Sequence, residues 1–226
     1  MRLDDGGQRG TIAKALEQFA GEPWLFEIEE LLGEEDPVVV RFHSGLSVAE
    51  PVETGDGPYA FVVDGDLVTT DHVSIWTDDY RQGRVIITGD LRARSLSFGN
   101  GARVIVRGDA VVERACVGQY GDRNAVLEVS GTLTTGTLLL DTTTAAYAYG
   151  GVRALLYADE GFWEELRPDI VNGRIGEDGR FFRPEILDRY GDVDFAAAIA
   201  FVRAGEELLL PGVMESFPDR LTLRHT

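Results

Sequence analysis

Three histidines, one cysteine and a row of Gly-Asp pairs are the residues of this 226-residue chain whose chemistry can be questioned first. The sequence carries no P-loop, no Gly-x-Ser-x-Gly elbow, no His-Glu-x-x-His and no zinc-finger spacing. His43 and His72 could meet across neighbouring strands, but isolated polar strand residues are the favoured reading, and His225 stands at the end of the sequence. Cys116 lies between Ala115 and Val117 and reads as a small buried hydrophobe. A single cysteine excludes an internal disulfide framework. Asp66, Asp90 and Asp109 each follow a glycine, and stacking would bring them to one corner. Stacked acids can bind calcium. Here the tandem Gly-Gly-x-Gly-x-Asp form is missing and Thr132 replaces the fourth Asp, so turn stabilisation is favoured. Arg92, Arg94, Arg103, Arg107 and Arg114 fall on outward positions, either as a basic stripe or, as favoured, paired with acids of the corners and neighbouring coils. No catalytic residue, cofactor or metal ligand is assigned.

Two short insertions carry a different chemistry. SIWTDDYRQG holds Trp76 and Tyr80 beside Asp78 and Asp79, and GQYGDRN holds Tyr120 beside Asp122. Aromatics ringed by acids have the composition of a protein-binding patch. Both insertions fall where the repeat lengthens, which predicts that they protrude on the same side. Aromatics that merely cover a coil edge are the alternative.

The elements that must position these residues come from a repeat. The phrase apolar-x-apolar-x-Gly-Asp-apolar appears as FVVDGDL, VIITGDL, VIVRGDA and LEVSGTL, with a degraded copy AYAYGGV. The anchors Gly65, Gly89, Gly108, Gly131 and Gly150 are separated by 24, 19, 23 and 19 residues. Self-similarity at such a period means stacked units. Positions two and four before each Gly are apolar, as is the position two after it, so these side chains share one face. The Gly-Asp reads as a bend, because Gly tolerates positive φ and Asp can bond nearby backbone. Leu96/Phe98, Ala115/Val117 and Leu138/Leu140 read as a third short inward strand. Each unit is then one coil, and the fold class is mainly β: a short right-handed parallel β-solenoid of about five coils. An antiparallel barrel or sandwich would explain the alternation but not the recurring Gly-Asp.

Helical patterns bracket the repeats. The first ten residues read as disordered; Thr11 caps a helix over Ile12–Ala20, and Pro23 opens another through Leu32. Beyond Gly161, FWEELRPDI, RPEILDRY and DFAAAIAFVRAG read as helical, the last capped by Asp192 or Asp194 and ended by Gly205. Open strand edges invite aggregation, so these regions are expected to cap both ends. The resulting domains are residues 1–37, an N-terminal helical cap; 38–158, the solenoid; and 159–226, a C-terminal helical region.

Composition narrows the function classes. The net charge is −18, which opposes nucleic-acid binding and favours a basic partner. Residues 1–83 carry −13, residues 84–158 carry +2 and residues 159–226 carry −7, so the flanks supply the acidity. No apolar run is long enough to span a bilayer and the polar start is not a signal peptide. A cytoplasmic location without membrane contact is expected.

The phrases TGDLRARSLSFGNGARVIVRGDAVVERACVGQYG and LEVSGTLTTGTLLLDTTT resemble the bactofilin-like, polymer-forming β-helix repeats of bacteria. They are more similar still to bacterial repeat proteins that end in an acidic helical tail, like RFFRPEILDRYGDVDFAAAIAFVRAGEELL here. The likeness covers roughly residues 58–210. Some such proteins look like immunity proteins of polymorphic toxin systems. The resemblance implies an immunity protein of a toxin system. The acidic charge adds that it would occlude a basic toxin domain, and the two insertions offer Trp76, Asp78, Asp79, Tyr80, Tyr120 and Asp122 as its contact residues. A monomer or small oligomer without enzymatic activity is expected. A bactofilin-like self-assembling scaffold is the second expectation, from which the helical flanks depart. A carbohydrate-active enzyme is the third.

Overall fold

The computed structural model describes residues 1–18, 20–22, 25–33, 37–78, 81–120, 125–158 and 179–213. The chain is mainly β, and its strands stack in parallel as a β-solenoid. Two helices come first, α1 (Ile12–Gln18) and α2 (Leu25–Glu29), after a short strand β1 (Gln8–Gly10). Six rungs follow. The first is β2 (Val38–Phe42), β3 (Leu46–Val48) and β4 (Val52–Glu53), and the second is β5 (Tyr59–Val63), β6 (Leu67–Thr69) and β7 (His72–Ile75). The remaining four are β8 (Gly83–Ile87) with β9 (Leu91–Gly99), β10 (Ala102–Val106) with β11 (Ala110–Gln119), β12 (Val126–Val129) with β13 (Leu133–Leu140), and β14 (Ala145–Ala148) with β15 (Val152–Ala158). Helix α3 (Phe195–Arg203) lies near the C-terminus.

Successive rungs pair in parallel throughout, so the solenoid makes about five turns from first to last. One sheet runs β2-β5-β8-β10-β12-β14, and we call it the first sheet; the second sheet is built from the β3/β4 to β15 halves. The recurring apolar positions fall in register. Val40, Phe61, Val85, Val104, Leu127 and Ala146 form one ladder inside the core. Leu46, Leu67, Leu91, Ala110, Leu133 and Val152 form another across the bend.

The first rung is a copy that the repeat phrase conceals. VRFHSGL registers on FVVDGDL, which puts Ser44 opposite Gly65 and Gly45 opposite Asp66. Ser44 takes a left-handed φ of 70°, the conformation normally left to glycine. Its neighbour Gly45 fits because an added Cβ would lie 2.8 Å from the Asp66 carbonyl oxygen.

Two expectations about the solenoid itself need correction. Residues 1–10 do not stay disordered. β1 pairs antiparallel with β2, Glu53 N donates to Met1 O at 2.9 Å, and Leu3 is fully buried in the solenoid core. A strand and a plugging leucine therefore cover the first rung's edge and satisfy donors that would otherwise face water. The second correction concerns Ala115 and Val117, which face outward while Cys116 points into the core. The cause is a β-bulge: Glu113 and Arg114 together stand opposite the single residues Arg94 and Gly136, which shifts the alternation by one.

The helices were expected to cap the two ends; their described residues instead pack along the sides of the solenoid, because its outer faces are apolar. Ile12, Ala15, Ile28 and Leu31 meet Val39, Ala60, Val62, Ile86 and Ile105 on the outer face of the first sheet. Phe182, Ile186, Ile199 and Val202 of the C-terminal segment meet Ala115, Val117, Leu139 and Leu155 on the outer face of the second. Strands covered on both faces read as continuous apolar runs such as FVV, VII and LLL, as these do. Of the first expected helix, Ile12–Gln18 is described as α-helical; of the second, Leu25–Glu29 is α-helical and Glu30–Gly33 tightens to a 3-10 turn. RPEILDRY contributes only a 3-10 turn at Pro184–Ile186. Asp194, not Asp192, caps α3 by accepting from Ala197 N. The FWEELRPDI segment lies outside the described residues. No helix among the described residues is long and apolar enough to cross a membrane.

Candidate partner-binding corner and its surroundings

The solenoid has two corners, and they differ in chemistry. At the Gly-Asp corner the glycines hydrogen-bond up the stack: Gly89 N to Gly65 O, Gly108 N to Gly89 O, Gly131 N to Gly108 O and Gly150 N to Gly131 O, all within 2.8–3.0 Å. The aspartates form a second ladder beside them. Asp66 Oδ1 accepts from Asp90 N at 2.8 Å, Asp90 Oδ1 from Asp109 N at 2.9 Å, and Asp109 Oδ1 from Thr132 N at 2.8 Å. Each carboxylate thus satisfies the amide of the next rung, a charge-assisted bond between coils rather than within a turn. Among the described residues no cluster of three or more His, Cys, Asp or Glu is placed to hold a metal ion.

Of the five outward arginines expected to pair with acids, four do. Arg92 pairs with Asp90 at 3.2 Å, Arg103 with Glu128 at 3.0 Å and Arg114 with Glu207 at 3.1 Å, and Arg94 pairs with Asp71. Arg41 adds a pair with Asp64.

The opposite corner carries the insertions. Trp76, Thr77 and Asp78 lie on the second rung, Gly99–Gly101 on the third, Gln119 and Tyr120 on the fourth, and Asp141 on the fifth. They interlock rung on rung. Asn100 Nδ2 donates to Thr77 O at 2.6 Å, Gly101 N to Thr77 Oγ1 at 2.9 Å, and Tyr120 N to Asp141 Oδ2 at 2.7 Å. An added Cβ on Gly99 would lie 2.3 Å from both the Trp76 ring and Gln119 O, so Trp76 and the Gln119–Tyr120 step are neighbours. Both insertions therefore emerge from one corner.

Trp76, Asp78 and Tyr120 have different surroundings there. Tyr120 is 63% exposed and held at a φ of 59° by its bond to Asp141. Asp78 is exposed and its N–H donates to Asp56 O at 2.6 Å. Trp76 is half-buried, packed against the C-terminal segment, with its backbone N and O both bonded to Thr54 Oγ1 at 2.9 Å. Tyr59 OH also donates to Trp76 O, at 2.8 Å. Asp79, Tyr80 and Asp122 lie outside the described residues.

The histidines stay apart. His43 is half exposed, 2.9 Å from Gln8 Oε1 of β1. His72 is 1% exposed on the outer face of the second sheet, between Ser95 Oγ at 2.8 Å and Ser97 Oγ at 2.9 Å. Burial, aided by the Arg203 charge, pushes its pKa from 6.5 down to about 4, so the imidazole is neutral at pH 7. Cys116 is fully buried in the core, and burial alone pushes its thiol pKa up, away from the reactive thiolate. The His72–Ser95–Ser97 group was not legible beforehand, since three polar residues in strands carry no spacing signal. Comparisons with protein-family models, with curated proteins and with solved structures each find no match to the chain.

Proposed function

We propose that this chain is a cytoplasmic protein-binding module, an immunity protein that neutralises a basic bacterial toxin domain by covering its active site. The observation that carries the reading is charge placement. Five solenoid arginines, Arg41, Arg92, Arg94, Arg103 and Arg114, are each paired with an acid of this chain. The surplus of a chain at −18 is therefore acidic, which suits fast encounter with a basic partner. At the insertion corner, Tyr120 stands exposed on a backbone fixed by Asp141, with Asp78 exposed two rungs away. A rigid aromatic projecting beside acids has the make-up of a binding anchor. Asp79, Tyr80 and Asp122 extend that proposed patch in sequence.

End-to-end assembly as a bactofilin-like scaffold is the second reading. It needs an open edge at each end of the stack, and the coverage of the first rung by β1 and Leu3 weighs against it. The experiment is affinity capture of the tagged chain from its own cells at low salt. The expected result is one basic protein with a toxin domain, whose growth inhibition is relieved on co-expression. Filaments of the purified chain alone would favour the scaffold reading.

A further inference from the structure

The polar residues between the second sheet and α3 form one directed chain of hydrogen bonds. Ser95 Oγ donates to the Val202 carbonyl at 3.2 Å, so its remaining capacity toward His72 is to accept. His72 Nδ1 must then carry the proton, which leaves Nε2 as an acceptor. Ser97 Oγ donates to that Nε2 across 2.9 Å and accepts from Trp76 Nε1 at 3.3 Å. The order is Trp76 indole, Ser97, His72, Ser95, Val202 carbonyl, with each hydroxyl used once as donor and once as acceptor. It starts at the insertion corner and ends on the last turn of the C-terminal helix.

Only the neutral Nδ1–H imidazole completes this order. A proton on Nε2 would face Ser97 Oγ with a donor, and Ser97, already accepting from Trp76, would lose the acceptor for its own hydrogen. The charged groups facing His72 do not favour its cation. Arg203 of α3 reaches Ser74, two residues along β7 and on the same face as the imidazole. Arg94 of β9 is tied to Asp71, whose Oδ1 accepts from His72 N at 2.8 Å. On the β4 side Glu53 registers opposite Ser74. The Arg203 and Arg94 charges disfavour the imidazolium, and Asp71, which favours it, is engaged by Arg94.

We propose that docking of the C-terminal segment (residues 179–213) on the second sheet is gated by the protonation state of His72. With the imidazole neutral the segment is latched and covers Ala115, Val117, Leu139 and Trp76. Protonation breaks the chain at Ser97 and releases α3, which uncovers this apolar face. The depressed pKa agrees with the geometry: the docked form resists the proton that the undocked form accepts near 6.5.

The test is amide hydrogen exchange on the full chain at pH 7.5 and pH 5, corrected for intrinsic rates. From pKa values of about 4 and 6.5, protection of α3 should fall about 30-fold and stay well below that of β8 and β10, so that α3 opens without the core. His72→Gln, which cannot charge, should show α3 protection that does not change over this range. Equal loss in wild type and H72Q, or no loss in wild type, overturns the proposal. Should H72Q misfold, NMR of the wild-type imidazole decides. An Nε2–H tautomer at pH 7.5, or titration near 6.5 in the docked form, contradicts the latch.

Discussion

Asp90 Oδ1 occupies the place that a side chain on Gly108 would need: an added Cβ there would lie 2.2 Å from it. The same relation joins Asp66 to Gly89 and Asp109 to Gly131, at 2.2 and 2.1 Å. The Gly-Asp pair is thus a rung-to-rung device. Each Asp reaches forward to the next amide, and each Gly leaves room for the Asp of the rung before. Of these three glycines none takes a positive φ, so the requirement is space rather than backbone freedom.

Gly108→Ala should destabilise the fold by about 2–3 kcal/mol, since the clash includes backbone of Gly89 as well as the carboxylate. Asp90→Ala should cost about 1–2 kcal/mol by leaving Asp109 N without its partner. The double variant should lose less than the two together, because removing the carboxylate makes room for the methyl. Urea denaturation of the four proteins measures this coupling. Strict additivity would mean the two residues do not share the space.

Removal of residues 1–10 should make the chain prone to aggregate. It strips β1 from the edge of β2 and takes Leu3 out of the core. Light scattering of the truncated and intact chains at equal concentration is the check. A truncated chain that stays monodisperse would show that the first rung needs no cover.

Stability should fall as pH drops through the window set by His72. Above pH 6.5 the imidazole is neutral in folded and unfolded chains alike and its contribution is complete. Between 6.5 and about 4 the unfolded chain takes up a proton that the folded chain refuses, so stability declines with falling pH. Below about 4 both forms are charged and this loss is complete. Between pH 7.5 and 5 the loss should be about 2 kcal/mol, and His72→Gln should abolish that share of it. Carboxylates titrate in both proteins, so the difference between them isolates the imidazole.

Trp76→Ala should lower stability by about 2 kcal/mol, because its ring packs against the C-terminal segment and its indole donates to Ser97. Trp76→Phe should keep most of the packing and lose the indole bond. Thermal unfolding monitored by circular dichroism distinguishes them. An Ala variant as stable as wild type would leave Trp76 free to act only as a partner contact.

The rungs were legible because Gly-Asp recurs beside apolar residues that must share one face. The first rung escaped notice because Ser44 and Gly45 stand where later rungs have Gly and Asp. The apolar residues between the inward ones, such as Val62, Ile86 and Leu139, were the readable sign that both outer faces are covered. Alternation held for the inward positions, and the residues between them are apolar as well because the outer face is covered. The bulge at Glu113–Arg114 was hidden because one extra residue leaves the composition of a strand unchanged. The insertions were expected on the same side, and Trp76 and Tyr120 do share a corner. How deeply Trp76 packs could not be read, since its cover comes from residues more than a hundred positions away in the chain.

The proposed function is tested most directly by the binding kinetics of the captured basic partner against ionic strength. The association rate should fall steeply as salt rises, by ten-fold or more between roughly 10 and 150 mM, because screening removes long-range steering. Asp78→Lys should lower the association rate, whereas Tyr120→Ala should leave it nearly unchanged and raise the dissociation rate at least about ten-fold. An association rate indifferent to salt, together with a Tyr120→Ala protein that binds as tightly as wild type, would contradict an acidic occluder anchored at this corner.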